Sequence, residues 1–322
     1  MRSRKICWSV LLAAIVSPSL ALASITLPLP WKLGDTHRYQ SVTVQDKTRA
    51  GKAQRIETRE VDKITIAEAG PKGFLQVWHA ESSKLAITGE SENSAADQAL
   101  ATQLQDGFRD LSLEAELQPD GAFLRLRNWK VLGERMREVM LPAMVAQAKA
   151  RPELAKTDEA EIRAKLVPVL ERMTSEQAIS NSLGKNIAIY NFFMAASLNV
   201  GEPTIYEDYL PSPWSADLIP TRGSFRLVGT DERAGTVTIL WKQEIDPVKG
   251  APIMWKIVET LMGQAMPDKV AEALPKGFVL TDEATVVVDR KSGLLLKLTH
   301  QRRVEAGSAS NTNTWTLDKL PD

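Results

Sequence analysis

The sequence predicts an α+β protein in which a curved antiparallel β-sheet of roughly eight to ten strands carries helices packed on one face. Polar and apolar residues alternate in several segments of residues 35–127 and again of 221–318, which is the period of half-buried strands. Between them, residues 128–200 place apolar side chains at three- and four-residue spacings, which indicates helices. With 322 residues, of which 43% are hydrophobic and 25% charged, the chain is long enough to bury a substantial core.

Residues 1–23 have the pattern of a secretory signal peptide. A start with two arginines and a lysine precedes the apolar run Ile6–Val16, and a small-x-small motif ends at Ala23. We therefore expect cleavage after Ala23 and export of residues 24–322 as a single α+β domain, to the periplasm or, as a second choice, by full secretion. The one cysteine, Cys7, lies in this segment, so the mature chain is expected to have neither disulfides nor thiolate ligands.

The charge balance argues against a nucleic-acid partner. Forty Lys and Arg residues match forty Asp and Glu residues, and no later apolar run reaches the length of about eighteen residues that a transmembrane helix needs. A basic cluster surrounds the first long turn, and it suits either a solvated hairpin tip or contact with anionic lipid headgroups. The cluster consists of Lys47, Arg49, Lys52, Arg55 and Arg59.

The first half reads as strands interrupted by one helix. Within residues 35–88, the apolar anchors of the first strand are Tyr39, Val42 and Val44, and two glycine-containing turns separate it from two further strands. Residues 92–108 predict a helix. A further hairpin with a Gln-Pro-Asp-Gly turn follows, because proline presets φ and glycine supplies a positive φ.

The helical segment contains two sequence signals for helix starts. Asp158 and Thr174 each begin a capping box, with an acidic or amide residue three positions later. The helix that opens at Thr174 becomes almost wholly apolar at Ile187–Leu198, and we expect it to continue to Gly201 as a buried core helix.

The second half repeats the element order of the first. After a proline-rich linker at 203–220, strands return, a helix is predicted over 252–265, and a hairpin and a final strand follow. Each half carries a tryptophan in an early strand and a glycine in its later turn. We predict two duplicated β-β-α-β-β units, 35–127 and 221–318, around the helical insertion at 128–200.

No metal or cofactor site is predicted. The histidines His37, His79 and His300 all lie in predicted strands, and none has another His or a Cys within five residues.

One nucleophile motif requires discussion. Ser182-Leu183-Gly184-Lys185 fits the S-x-x-K of penicillin-recognising enzymes, in which a lysine amine activates a serine, and Ser197 and Lys291 begin similar companion motifs. A single predicted helix would hold Ser182 and Ser197 more than about 20 Å apart. We therefore predict no catalytic residue and lean against an enzyme.

Methionines supply the candidate ligand-binding residues. They form two stripes at helical spacing, and flexible thioether side chains adapt to varied apolar ligands. The alternative is that these stripes are ordinary core. The residues are Met136, Met140 and Met144 on one helix and Met254, Met262 and Met266 on the other.

These patterns favour a non-enzymatic binding or carrier module for a hydrophobic small molecule, lipid or envelope component. The element order with an export signal is similar to that of envelope carriers in which a sheet wraps around helices, such as half-barrel lipoprotein carriers. A carrier predicts an apolar cavity lined by the methionines. Two alternatives stay open: a periplasmic hydrolase predicts polar groups of perturbed pKa converging in one cleft, and a protein-interaction subunit predicts a large exposed apolar patch.

Overall fold

A computed structural model of the protein describes residues 24–49, 51–89, 102–103, 105–150, 152–194, 197–211, 218–246, 248–250, 252–253, 278–306 and 309–321. Three predicted segments therefore lie wholly or mostly outside the described residues. They are the signal peptide 1–23 and the helices 92–108 and 252–265.

Thirteen strands lie in the described part of the chain. They are β1 (Ser24–Thr26), β2 (Thr36–Arg49), β3 (Lys52–Gly70), β4 (Gly73–Gly89), β5 (Leu113–Leu117), β6 (Phe123–Leu126), β7 (Ser197–Asn199), β8 (Thr204–Pro211), β9 (Leu218–Asp231), β10 (Thr236–Ile245), β11 (Phe278–Asp289), β12 (Leu295–Ala306) and β13 (Ala309–Lys319). Eleven of them form one curved antiparallel sheet in the order β6-β5-β4-β3-β2-β13-β12-β11-β10-β9-β8. Strands β1 and β7 form a separate pair.

The large sheet consists of two meanders joined by its first and last long strands. Every neighbouring pair is consecutive in the chain except β2 and β13, which pair antiparallel along ten residues. The broad α+β class is thus confirmed, and the sheet is slightly larger than expected. The two duplicated β-β-α-β-β units are not confirmed.

The predicted proline-rich linker is wrong. Residues 204–211 and 218–231 form β8 and β9 instead. Strand β8 is the terminal strand of the sheet, and Pro220 stands near the start of β9. Proline is tolerated at both kinds of position, because no ladder hydrogen bond depends on its missing N–H.

The two faces of the sheet separate residues that the sequence analysis grouped together. Tyr39 is fully buried on the face that contacts the helices, hereafter the inner face, whereas Val42 and Val44 are only partly buried. All three lie in β2 as predicted, and Tyr39 faces the opposite side from Val42 and Val44 because successive strand side chains alternate between faces.

Four helices are described between β6 and β7. They are α1 (Trp129–Lys149), α2 (Glu159–Met173), α3 (Glu176–Leu183) and α4 (Lys185–Asn191). The Asp158 side chain accepts a hydrogen bond from the Ala160 N–H, so this predicted cap is confirmed. The next cap is Ser175 rather than Thr174, whose hydroxyl instead donates to the Leu170 carbonyl at 2.8 Å.

The long apolar helix predicted to run to Gly201 ends much earlier. Gly184 separates α3 from α4, α4 stops at Asn191, and residues 197–199 belong to β7. A Cβ atom on Gly184 would lie 2.5 Å from Phe123 Cζ, so only glycine permits this close approach of the helices to β6. Ser182 and Lys185 of the S-x-x-K motif consequently lie in different helices.

Helix α4 anchors the core on the inner face. Tyr190 makes edge-on contacts with Tyr39 and Trp78, with ring centroids 5.7 and 5.1 Å apart. The Tyr39 hydroxyl donates to the Leu295 carbonyl at 2.9 Å and lies 3.1 Å from the Tyr190 hydroxyl. These contacts tie α4 to the first meander, and the Tyr39 hydroxyl links that meander to β12 of the second.

Candidate functional site

The inner face changes from apolar to polar along the strands. The strand register places its side chains in rows that cross the sheet, and from β13 to β9 the second row from the turn between β11 and β12 is wholly apolar and buried. That row contains Leu317, Leu298, Val286, Ile239 and Leu227.

The next row is largely aromatic and introduces a histidine. It contains Trp315, His300, Ala284, Trp241 and Phe225. The row after that is polar, and we call its members the polar band. The band consists of Gln45, Asn313, Arg302, Asp282 and Gln243, from β2, β13, β12, β11 and β10.

Asp282 is the centre of the polar band. It is fully buried, and its two carboxylate oxygens accept hydrogen bonds from His300 Nε2 at 2.8 Å and from Arg302 Nε and Nη2 at 2.7–3.0 Å. Burial alone would raise the pKa of Asp282, but these hydrogen bonds and the Arg302 charge outweigh it and hold the pKa at about 2. Asp282 is therefore an ionised acceptor at neutral pH.

His300 joins the polar band to the aromatic row. It is 2% exposed and stacks on Trp241, with ring centroids 5.9 Å apart. Burial lowers the pKa of His300, so the ring is neutral at pH 7, and its Nε2 must carry the proton donated to Asp282. In the described part of the chain His300 makes no hydrogen bond to a serine or threonine hydroxyl, so this His–Asp pair has no nucleophile beside it.

Lys185 supplies a second cation to the polar band from the start of α4. Burial lowers the pKa of Lys185 to about 8, the nearby Arg302 charge acts in the same direction, and Asp282 opposes both. The side chain is partly buried. Among the residues that the structure describes, none forms a hydrogen bond or ion pair with Lys185 Nζ.

The opposite side of the inner face is acidic. Asp62 on β3 has its pKa raised to about 7, first by burial and then by the charge of Glu60, against a hydrogen bond from Ser41. Ser41 also accepts a hydrogen bond from Trp315 Nε1 at 2.9 Å. Three strand spacings, about 14 Å, separate β3 from Arg302 on β12.

Apolar residues flank the polar band in two cross-strand pairs. Ile56 and Ile87 continue its row onto β3 and β4, and Leu280 and Val304 form the next row on β11 and β12. All four are partly buried. Within the described part of the chain, they belong neither to the buried hydrophobic core nor to the residues packed against it. We call them the flanking pairs.

The methionine prediction is only partly addressed by the described residues. Met136 packs against the hydrophobic core, and Met140 and Met144 are partly buried on α1. Met254, Met262 and Met266 lie outside the described residues, so a cavity lined by both stripes stays a prediction.

A separate cavity of about 490 Å³ lies beside β9 and is lined by none of the methionines. Its walls come from Val200, Gly201 and residues 226–230.

The other residues singled out in the sequence have local roles. His79 Nδ1 lies 3.3 Å from the Ser112 hydroxyl, and the described residues contain no group of three or more His, Cys, Asp or Glu side chains able to hold a metal ion. In the basic cluster, Arg55 pairs with Asp46 at 3.3 Å and Arg59 with Glu57 at 2.6 Å.

Sequence reasoning missed the polar band, although a signal was present. Along β11, Val288, Val286 and Ala284 occupy successive inward positions, and Asp282 takes the next one. A charged residue at an inward position of an apolar alternation marks a buried ionic group that requires partners. The sequence alone did not show that His300, Arg302 and Lys185 are those partners.

Comparisons with known proteins identify no family. No protein-family model and no curated protein matches the chain. The chain is similar to a solved structure of lipovitellin titled for its lipid–protein interactions, with 7% identity and a TM-score of 0.46, over 90% of this chain but 25% of the lipovitellin chain. An outer membrane channel from Pseudomonas putida F1 shows 8% identity and a TM-score of 0.26, over 91% of this chain and 97% of its own. We draw no functional conclusion from likenesses this low.

The described helices are not membrane spans. Within the described ranges, none is both long enough and apolar enough to cross a membrane.

Proposed function

We propose that the protein is an exported, periplasmic binding or carrier module whose hydrophobic or amphipathic ligand lies on the inner face of the sheet. One observation carries this proposal: partly buried apolar pairs directly flank a polar band on the same face of one sheet. The signal-peptide pattern of residues 1–23 supports the location.

The flanking pairs provide the apolar part of the proposed site. Leu280 and Val304 lie next to the polar band, are partly buried, and stand outside the core clusters formed by the described residues. A ligand that covered this surface would gain about 25 cal/mol for each Å² removed from water. The apolar chain of such a ligand would lie along β11 and β12.

A hydrolase is the less supported reading. Groups of perturbed pKa do occur on the inner face, but Asp62 pairs with Tyr39, six residues along β2 from the row of the polar band, and lies three strand spacings from β12. In the described residues, the Ser41 hydroxyl is buried and accepts from Trp315, and no hydroxyl is hydrogen-bonded to His300. General-base activation of a nucleophile requires such a contact.

Fluorescence titration with 1-pyrenedodecanol tests the proposal. We expect saturable one-to-one binding by the purified protein, and about tenfold weaker binding by Leu280→Gln, since the polar group disfavours an apolar contact by about 1.4 kcal/mol. The matched control is Leu33→Gln, because Leu33 is 68% exposed outside the sheet. Absence of saturable binding, or equal weakening by both variants, would refute a ligand site on this face.

A specific observation also favours an interaction subunit as a second candidate. Terminal strand β8 exposes Ile205 and Tyr209 by 65% and 57%, whereas α3 covers the opposite edge, where the Leu126 N–H donates to Ser180 Oγ at 3.1 Å. An uncovered edge strand with exposed apolar side chains is suited to pairing with another chain. Sedimentation velocity should show an oligomer that Ile205→Lys dissociates; a monomer at all concentrations would exclude self-pairing.

A further inference from the structure

Building on the proposed function, we propose that the ligand is an amphiphile with an anionic headgroup and that Lys185 and Arg302 bind this headgroup. The inference specifies the class of ligand, and the charge arrangement around Asp282 carries it.

The charges of the cluster do not balance. Among the described residues, Asp282 is the carboxylate that acts on Lys185, and both of its oxygens are already occupied by His300 and Arg302. His300 is neutral, and Arg302 matches the Asp282 charge as a bidentate partner. The Lys185 ammonium is therefore a positive charge in excess.

The excess charge lies where an anion can reach it. Arg302 keeps 27% of its side chain exposed, and its Nη1 makes no hydrogen bond within the described ranges. Lys185 Nζ is also without a partner there. Both cationic groups have unused N–H donors, and the carboxylate beside them accepts no further hydrogen bond. The two cations therefore form a site for a carboxylate or phosphate oxygen.

Partial burial makes an anionic ligand favourable. A cation removed from water loses hydration, and an opposite charge restores part of that free energy. The acidic residues Asp62 and Glu60 are about three strand spacings, or 14 Å, from β12, beyond the Debye length at physiological ionic strength. Among the described residues, the charges that act on Lys185 are those of Arg302 and Asp282.

The neighbouring apolar surface distinguishes an amphiphile from a free anion. Leu280 lies two residues along β11 from Asp282, about 7 Å away, on the same face. A headgroup held by Lys185 and Arg302 would thus place the start of an alkyl chain over Leu280 and Val304.

The test compares 1-pyrenedodecanoic acid with 1-pyrenedodecanol, which share the fluorophore and chain and differ in headgroup charge. We expect the full-length protein to bind the acid at least about tenfold more tightly at neutral pH. Lys185→Met should remove this preference without weakening alcohol binding, and Lys185→Arg should restore it. Acetate, which lacks the chain, should not compete at equal concentration.

The outcomes separate the two proposals. If the protein binds both probes equally, or if Lys185→Met keeps the preference for the acid, the headgroup inference is wrong while the carrier proposal stands. If acetate competes as well as the pyrene acid, the site binds a free anion and the inference is also wrong. If neither probe binds, both proposals fail.

Discussion

Asp62 is a partly buried carboxyl group that the structure predicts to destabilise the folded protein at neutral and alkaline pH. Its pKa is raised from the ordinary value of 3.8 to about 7 by burial and by the charge of Glu60. A raised pKa of an acid means that the folded state binds the proton more tightly than the unfolded state. Stability is therefore highest below the unfolded pKa, declines by about 1.4 kcal/mol per pH unit between the two pKa values, and is constant above about pH 7.

Asp62→Asn removes this titration with little change of shape. The full pKa shift corresponds to about 4 kcal/mol of unfolding free energy. At about pH 8.5 the variant should therefore be more stable than the natural protein by up to about 4 kcal/mol. At about pH 5 this advantage should be about 3 kcal/mol smaller. Urea unfolding followed by tryptophan fluorescence at a series of pH values measures the difference. Asp46→Asn, at an exposed site on β2, is the control and should follow the natural protein. A stability difference for Asp62→Asn that does not grow with pH would refute the reasoning.

Three further predictions concern the cluster and the helix junction. Asp282→Asn should destabilise the fold by about 3 kcal/mol in thermal unfolding, because it leaves Arg302 partly buried without its carboxylate. The control is Asp318→Asn, which breaks the exposed ion pair with Lys297 and should change stability by less than about 1 kcal/mol. Gly184→Ala should destabilise by about 1–3 kcal/mol through the clash with β6, whereas Gly229→Ala, with no atom within 4 Å of the added Cβ, should not. Affinity for pyrenedodecanoate should fall above about pH 8 as Lys185 loses its proton, with Asp282 and Arg302 still charged and His300 neutral, while pyrenedodecanol binding stays constant. A pH-independent preference for the acid would contradict that assignment.

Local signals predicted the strands and turns well. The turn before Phe123 forms as expected, with Gly121 at a φ of 89°, because proline fixes φ and glycine permits a positive φ regardless of tertiary context. The Asp158 cap is similarly local. Errors arose where tertiary packing decides: the apolar run after Gly184 is compatible with one long helix, but the contact with Phe123 breaks it.

Long-range pairing explains why the site was not predicted. Asp282, His300 and Lys185 are distant in sequence, and only the β11–β12 register and the position of α4 bring them together. His300 and Lys185 alone resemble ordinary strand or surface residues, so composition and spacing do not identify them as members of the cluster. The apolar alternation interrupted at Asp282 showed a buried charge without naming its partners.

Native mass spectrometry of the protein purified from the periplasm, with organic extraction of the same sample, tests the central claim most directly. The account predicts a stoichiometric adduct that extraction releases as an amphiphile, and loss of that adduct in Leu280→Gln but not in Leu33→Gln. A mass equal to that of the polypeptide alone would contradict the proposal that this inner face carries a ligand.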